Sequence, residues 1–213
     1  MEQIRKNEIQ EIANEVLYKY GIEDFPYKNL QKIIESEGIK YNEQSFPNEK
    51  IMGEFLILEE QPCIFINPAN QNFGRLNFTK AHELGHYFLK HALLETIICF
   101  REDLKDNFNL SSSIREFEKE ANYFAICFLM PKNLVIKTFT KLLETYNRTN
   151  YNRFFVDNQP QNYLEWKKAL KFLYYEYGTS SLAISYRMEE LSFAIFDWNK
   201  NLRNFIYNFD KII

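Results

Sequence analysis

Two of the three histidines in this chain of 213 residues lie four positions apart, and this spacing constrains the fold more than any other feature. Residues i and i+4 project from one face of an α-helix, so the imidazoles of His82 and His86 can reach a single cation if the segment is helical. Glu83 lies about 100° around such a helix, beside the cation rather than on it. The pattern is typical of a zinc site in which two histidines bind the metal and the glutamate accepts a proton.

The residues around this pair predict a helix from about Thr79 to Leu94. Residues without a polar side chain share the face of the two histidines: Phe78, Gly85, Leu89 and Leu93. The opposite face carries Lys80, Tyr87 and His91. The two imidazoles are therefore predicted to point into the protein. A pair of hydrogen-bonded core histidines is the alternative interpretation, and the glutamate between them favours the metal site.

A zinc site that keeps one position open for water needs a third protein ligand. His91 follows His86 by five residues, which places it about 140° further round a continuing helix and out of reach. A longer motif with a third histidine would need glycine and histidine where the chain has Leu89 and Ala92. Since no histidine is left, the third ligand is predicted to be a carboxylate.

A second helix, predicted over residues 114–130, offers three glutamates. Its apolar face is formed by Ile114, Phe117, Ala121, Phe124, Ala125, Phe128 and Leu129. Glu118 projects into this face, whereas Glu116 and Glu120 are predicted to point toward water. A carboxylate that faces the core is costly unless it is paired or bound to a metal. Glu118 is therefore the predicted third ligand, and the alternative is a partly exposed acid at the edge of the apolar stripe.

Three other side chains bear on this site. Asn122 lies one turn after Glu118 on the same face, and we expect it to hydrogen-bond a ligand imidazole. Cys127 lies opposite Glu118 on the helical wheel and is not counted as a ligand. Cys99 lies in a segment with no predicted structure and is a reserve candidate.

The remaining patterns predict an α+β fold in which a small sheet packs with helices. Apolar strands are predicted at Ile51–Leu58 and Cys63–Ile66, as a hairpin or as neighbours in the sheet. Further helices are predicted near residues 7–20, 27–37, 132–145, 162–177 and 180–192. The stretch 147–162 is predicted to be a loop, and 195–213 is unassigned. Residues 1–138 are predicted to form the core domain and 139–213 a mainly helical region of unknown role.

Composition excludes several classes of protein. With 26 Lys and Arg against 29 Asp and Glu, the net charge is −3, and a general nucleic-acid binder would have a basic surplus. Residues 162–192 resemble a helix–turn–helix with Gly178 in the turn, but seven basic and six acidic residues in 160–213 favour ordinary packing.

The longest apolar run, Tyr123–Met130, is too short to span a bilayer, and the N-terminus is unlike a signal peptide. These features predict a cytoplasmic protein that does not bind membranes.

Three blocks of sequence together resemble the ImmA/IrrE family of zinc metallopeptidases. The blocks are Arg75–His86, Glu118–Ala125 and Phe128–Pro131, and the resemblance covers about residues 10–135. A weaker similarity lies at Tyr174–Ser181. The resemblance implies a zincin-like core with one catalytic Zn²⁺ per chain. In the family pattern, His82, His86 and Glu118 correspond to the zinc ligands and Glu83 to the general base, as in gluzincin-like enzymes.

The resemblance also implies a substrate, since characterised members of the family cleave helix-turn-helix transcriptional repressors in the cytoplasm. An extended substrate is expected along an edge strand, for which Cys63, Ile64, Phe65 and Ile66 are the candidates. The alternative function is a non-catalytic, metal-stabilised regulator that binds a partner repressor. Glu83 counts against this alternative, because a purely structural metal site has no use for an additional carboxylate at that position.

Overall fold

A computed structural model describes residues 1–69, 71–91, 97–100, 112–148, 150 and 152–210 of the chain. The architecture is α+β, as predicted, and the described residues form eight α-helices, a four-stranded sheet and a two-stranded sheet. The helices are α1 (Gln3–Lys19), α2 (Leu30–Ser36), α3 (Phe73–Phe88), α4 (Ser112–Leu129), α5 (Lys132–Thr145), α6 (Pro160–Tyr177), α7 (Ser181–Glu190) and α8 (Lys200–Phe209). The strands are β1 (Lys40–Glu43), β2 (Ile51–Leu58), β3 (Gln61–Ile66), β4 (Ile97–Phe100), β5 (Phe154–Val156) and β6 (Ala194–Phe196).

The larger sheet has the strand order β1-β3-β2-β4. Strands β2 and β3 form the predicted antiparallel hairpin, in which Phe55 faces Ile64. Strand β1 joins β3 in parallel, and β4 joins β2 antiparallel. Neither β1 nor β4 was predicted. Strand β1 is largely exposed and polar, so it has no apolar alternation that would reveal it in the sequence.

The prediction that Cys63–Ile66 form an edge strand was wrong, because β3 lies in the interior of the sheet. The residues concerned, Cys63, Ile64, Phe65 and Ile66, each face β1 on one side and β2 on the other. A strand with neighbours on both sides has no free edge to offer an extended peptide. Among the described strands, the edges of this sheet are β1 and β4.

Helix α3 carries the histidine pair and begins six residues earlier than predicted. Asn72 caps it, and its side-chain oxygen accepts a hydrogen bond from the backbone N–H of Arg75. The helix also ends earlier than predicted, at Phe88. Its first turn lies tightly against the loop after α6, since a Cβ added to Gly74 would lie 2.7 Å from the carbonyl oxygen of Thr179.

Helix α4 packs between α1 and α3. Gly85 permits a close approach of α3, because a Cβ at this position would lie 3.1 Å from the carbonyl oxygen of Ala121. Aromatic rings fill the space beside this contact, and the ring of Phe124 stacks on Phe88 and on Phe128 at centroid distances of 5.8 and 5.9 Å. The close packing brings one face of α3 directly against one face of α4.

The C-terminal region continues the same core. The boundary predicted at residue 138 falls inside α5, and one hydrophobic cluster extends from Ile9 to Phe209. Strand β5 lies within the stretch predicted as a loop, and it pairs in parallel with β6 from the unassigned stretch. In the described part of the chain, no helix combines the length and apolar character needed to cross a membrane.

Helices α6 and α7 are joined at Gly178, whose φ of +56° favours glycine. The second helix is mostly buried. Its buried residues are Ser181, Ala183, Ile184, Ser185, Arg187 and Met188. A recognition helix must present a face to the DNA groove, so this burial argues against the helix–turn–helix interpretation of residues 162–192.

Arg187 connects α7 to the end of α4. Its side chain is 1% exposed, donates a hydrogen bond to the carbonyl oxygen of Met130, and forms an ion pair of 2.6 Å with Glu190. The hydroxyl of Tyr123 on α4 donates to the same glutamate. A buried cation thus satisfies a carbonyl group at the C-terminal end of α4, where positive charge is favourable.

We expect the Arg187→Met substitution to lower the free energy of unfolding by about 2 kcal/mol, since it removes charged hydrogen bonds from a buried position. Urea denaturation of both proteins measures this difference. Lys137→Met is the matched control, because Lys137 forms an exposed ion pair with Asp24, and we expect its effect to stay below about 0.5 kcal/mol. Equal losses in the two variants would contradict this role of Arg187.

Candidate metal centre

Three buried side chains from two helices converge at the contact between α3 and α4. They are His82 and His86 from α3 and Glu118 from α4, and their donor atoms all lie within 4.8 Å of one another. The two Nε2 atoms are 2.9 Å apart. Glu118 Oε1 lies 3.2 Å from the Nε2 of His86, and Oε2 lies 3.6 Å from the Nε2 of His82. The three residues are 0%, 0% and 3% exposed, respectively.

The protonation states of these groups suit a metal. Burial lowers the pKa of His86 to about 3, so its imidazole is neutral at pH 7, which is the form that binds cations. Burial raises the pKa of Glu118, but the neighbouring His82 and His86 outweigh that effect and hold the pKa well below its usual value. The group therefore offers two imidazoles and one carboxylate. This donor set fits Zn²⁺ and leaves a fourth position open.

Asn122 lies where the helical wheel expected it, one turn after Glu118. Its Oδ1 atom is 2.9 Å from the Nδ1 of His82. An amide carbonyl oxygen accepts a hydrogen bond from Nδ1–H, which leaves the Nε2 lone pair of His82 facing His86 and Glu118. Asn122, which does not itself belong to the donor group, thereby fixes the orientation and the tautomer of the His82 ring.

Glu83 is fully buried on α3, between the two histidines in sequence. Its carboxylate lies close to a glycine of β2, because a Cβ added to Gly53 would lie 2.6 Å from Glu83 Oε1 and 2.8 Å from Thr79 Cγ2. Gly53 was not among the predicted site residues. A glycine inside a predicted strand was the available signal, since it often marks a close approach of another group.

Hydrogen bonds join β2 to α3 next to this glycine. The side-chain amide of Gln71 donates to the carbonyl oxygen of Met52 at 3.0 Å. The hydroxyl of Thr79 donates to Gln71 Oε1 at 2.7 Å. Strand and helix are therefore fixed relative to each other where Gly53 meets the carboxylate of Glu83.

The predicted position of His91, on the far side of a continuing helix, was wrong. Helix α3 ends at Phe88, and Lys90 has a φ of +59°, which reverses the direction of the chain. His91 returns to the site, and its Nδ1 atom lies 2.9 Å from the Nδ1 of His86. Its ring stacks on Phe117 of α4 at a centroid distance of 4.5 Å. His91 thus contacts the imidazole ring of His86 on the side away from Glu118.

The prediction that Glu120 points to water was also wrong. Glu120 is half-buried and lies between two partners, with Oε2 at 3.1 Å from the Nε2 of His91 and at 2.6 Å from a guanidinium nitrogen of Arg5. Glu116 is exposed, as predicted, and pairs with Lys119. Cys127 is buried, and the side chain of Cys99 lies outside the described residues.

A peptidase family model, described as the IrrE N-terminal-like domain, matches residues 34–189. The matched range contains α3, α4 and β2, and therefore all the residues of the candidate metal centre. Helix α1 precedes it. No curated protein matches the chain.

We expect the metal-free protein to bind one Zn²⁺ per chain, and Glu118→Gln to weaken this binding by more than about 100-fold, because an amide replaces the only carboxylate of the donor group. Competition with a coloured chelator measures the affinity. Glu116→Gln is the matched control, since this glutamate is on the same helix but exposed. Unchanged affinity in the Glu118 variant would rule this residue out as a ligand.

Proposed function

The chain belongs to the peptidase family of the IrrE N-terminal-like domain, and from this premise we propose that it is a zinc-dependent endopeptidase of the gluzincin type. Membership supports a metallopeptidase that acts on protein substrates. One observation carries the finer proposal: His82, His86 and Glu118 converge on a common point, and Glu83, on the same helix as the histidines, is buried. Three ligands with an adjacent carboxylate are what metal-assisted hydrolysis requires.

The proposed reaction assigns a proton transfer to Glu83. When bound, the metal ion polarises the scissile carbonyl and lowers the pKa of a water molecule to about 7. Glu83 accepts a proton from this water, whose oxygen then bonds to the carbonyl carbon. As the C–N bond breaks, Glu83 returns the proton to the leaving amine nitrogen. Water is consumed, and a carboxylic acid and an amine are formed, which become a carboxylate and an ammonium group at neutral pH when the acid proton passes to the amine.

The contact with Gly53 would keep the Glu83 carboxylate in position for both transfers. The rate of an enzymatic reaction falls steeply when a catalytic group is displaced, and a displacement of about 1 Å lowers the rate on the order of 100-fold. The glycine permits β2 to limit the movement of the carboxylate on one side. Hydrogen bonds from Gln71 and Thr79 hold the same strand and helix together.

An extended substrate would lie along β4 rather than β3. Strand β4 pairs antiparallel with β2, and its residue Cys99 is in register with Gly53. Of the two described edges of the sheet, β4 is adjacent to the strand that contacts Glu83, whereas β1 is two strands away from it. A peptide added to this edge would gain main-chain hydrogen bonds that do not depend on its sequence.

The substrate is proposed to be a helix-turn-helix transcriptional repressor in the cytoplasm. This part of the proposal rests on the resemblance of residues 75–86 and 118–131 to enzymes with that specificity. The proposed role is regulatory proteolysis, in which cleavage of the repressor changes transcription. The chain itself would not contact DNA.

We expect Glu83→Gln to retain zinc and to reduce cleavage by at least about 1,000-fold, because an amide of the same shape cannot accept the proton. The substrate is the helix-turn-helix repressor encoded nearest to this gene, or a cell extract whose new N-termini are labelled and identified by mass spectrometry. Glu116→Gln should cleave at the rate of the wild type. A Glu83 variant with the wild-type rate would contradict the assignment of the base. A zinc-loaded wild type that cleaves nothing would favour the non-catalytic regulator.

We expect Gly53→Ala to lower cleavage by about 100-fold with little change in zinc affinity, because the added methyl group displaces the Glu83 carboxylate but touches no ligand. Cleavage rates and chelator competition measure the two effects separately. Ile57→Ala, at an exposed position of the same strand, should leave both unchanged. Full activity of the Gly53 variant would show that this contact does not position the carboxylate.

A further inference from the structure

A continuous series of polar contacts leads from the metal centre to the first helix of the chain. The Nδ1 atom of His86 lies 2.9 Å from the Nδ1 of His91, whose Nε2 lies 3.1 Å from Glu120 Oε2. Glu120 accepts two hydrogen bonds from Arg5 on α1, at 3.0 and 2.6 Å. We infer that His91, Glu120 and Arg5 are positioning residues that fix the tautomer and orientation of His86 for metal binding. This inference rests on the proposed function.

With a neutral His91, the donors and acceptors in this series allow one direction only. A guanidinium group can only donate, and an ionised carboxylate can only accept. Glu120 therefore accepts from Arg5 on one side and from the Nε2–H of His91 on the other. A neutral His91 with its proton on Nε2 offers Nδ1 as an acceptor, so the Nδ1–H of His86 donates to it. The Nε2 lone pair of His86 then faces Glu118, where a metal ion would bind.

Packing holds each member of the series in place. The ring of His91 is 2% exposed and stacks on Phe117 with an angle of 22° between the rings. Arg5 binds Glu120 with two nitrogens, which fixes the plane of the carboxylate. A second ion pair, with Glu8 on α1, constrains the guanidinium from the solvent side. The orientation of His86 is thus determined by residues of α1 and α4 as well as by its own helix.

The two ligand histidines are oriented by different means. His82 donates to one amide oxygen, that of Asn122. His86 instead donates to another imidazole, whose tautomer is set in turn by an ion pair. Arg5, the far end of this second arrangement, precedes residue 34, where the family match begins. The inference therefore assigns α1 a role in the metal centre.

Zinc affinity of the full chain tests this role without any protein substrate. We expect His91→Leu to weaken zinc binding by about 10- to 100-fold, the usual effect of losing a partner of a ligand histidine. His91→Gln should restore most of the affinity, because its amide can accept from His86 and donate to Glu120. Arg5→Met should have a smaller effect in the same direction. Glu11→Gln, at an exposed position of the same helix, is the control and should bind zinc like the wild type.

A second measurement separates positioning from general loss of structure. ¹⁵N NMR of the metal-free, histidine-labelled protein reports which ring nitrogen carries the proton. In the wild type and in His91→Gln, we expect His86 to carry it on Nδ1, and in His91→Leu we expect this preference to be lost. Thermal unfolding of the same samples shows whether each variant is folded.

Three results would overturn the inference. They are a His91→Leu variant with wild-type zinc affinity, equal losses in the leucine and glutamine variants, and a His86 tautomer that does not respond to residue 91. Failure of the wild type to bind zinc would instead overturn the proposed metal chemistry. The tautomer measurement needs no metal, so it decides the positioning role separately.

Discussion

The metal centre depends on one contact, the close approach of α3 to α4 at Gly85. A Cβ at this position would lie 3.1 Å from the carbonyl oxygen of Ala121, which is closer than most such contacts, so glycine favours the observed separation of the two helices. Glu118 lies one turn before Ala121, which places its carboxylate within 3.6 Å of both imidazoles. Burial of an ionised acid costs several kcal/mol unless a partner offsets it. The contact between α3 and α4 places Glu118 next to His82 and His86, which offset this cost.

Residues whose placement follows from helical periodicity could be predicted from the sequence. His82 and His86 share a face because they are four residues apart. Glu118 is buried because it lies on the apolar face of its helix with Ala121 and Ala125, although not all of its neighbours three and four residues away are apolar. Asn122 follows from the same periodicity. The hairpin of β2 and β3 was also predictable, since both strands are short apolar runs separated by a turn.

The other parts of the centre depend on tertiary structure and could not be predicted in this way. A helical wheel gives correct directions only within a helix, and α3 ends two residues before Lys90 reverses the chain. That reversal brings His91 back to His86. Glu120 is partly buried because it forms an ion pair with Arg5, a residue 115 positions away in sequence. Gly53 approaches Glu83 because of how the sheet packs on α3, and β3 is an interior strand because a polar segment, β1, pairs with it.

The number of donors distinguishes a catalytic from a structural ion at this centre. A structural zinc site is closed by four protein ligands, whereas a catalytic site has three and leaves one position for water. Among the described residues, the group around His82, His86 and Glu118 contains three donors. The nearest further imidazole, His91, contacts the Nδ1 side of His86 and so supports a ligand instead of completing the coordination. Glu83 is a buried carboxylate on the same helix as the histidines, so under the proposed function a group able to take a proton from water would accompany the open position.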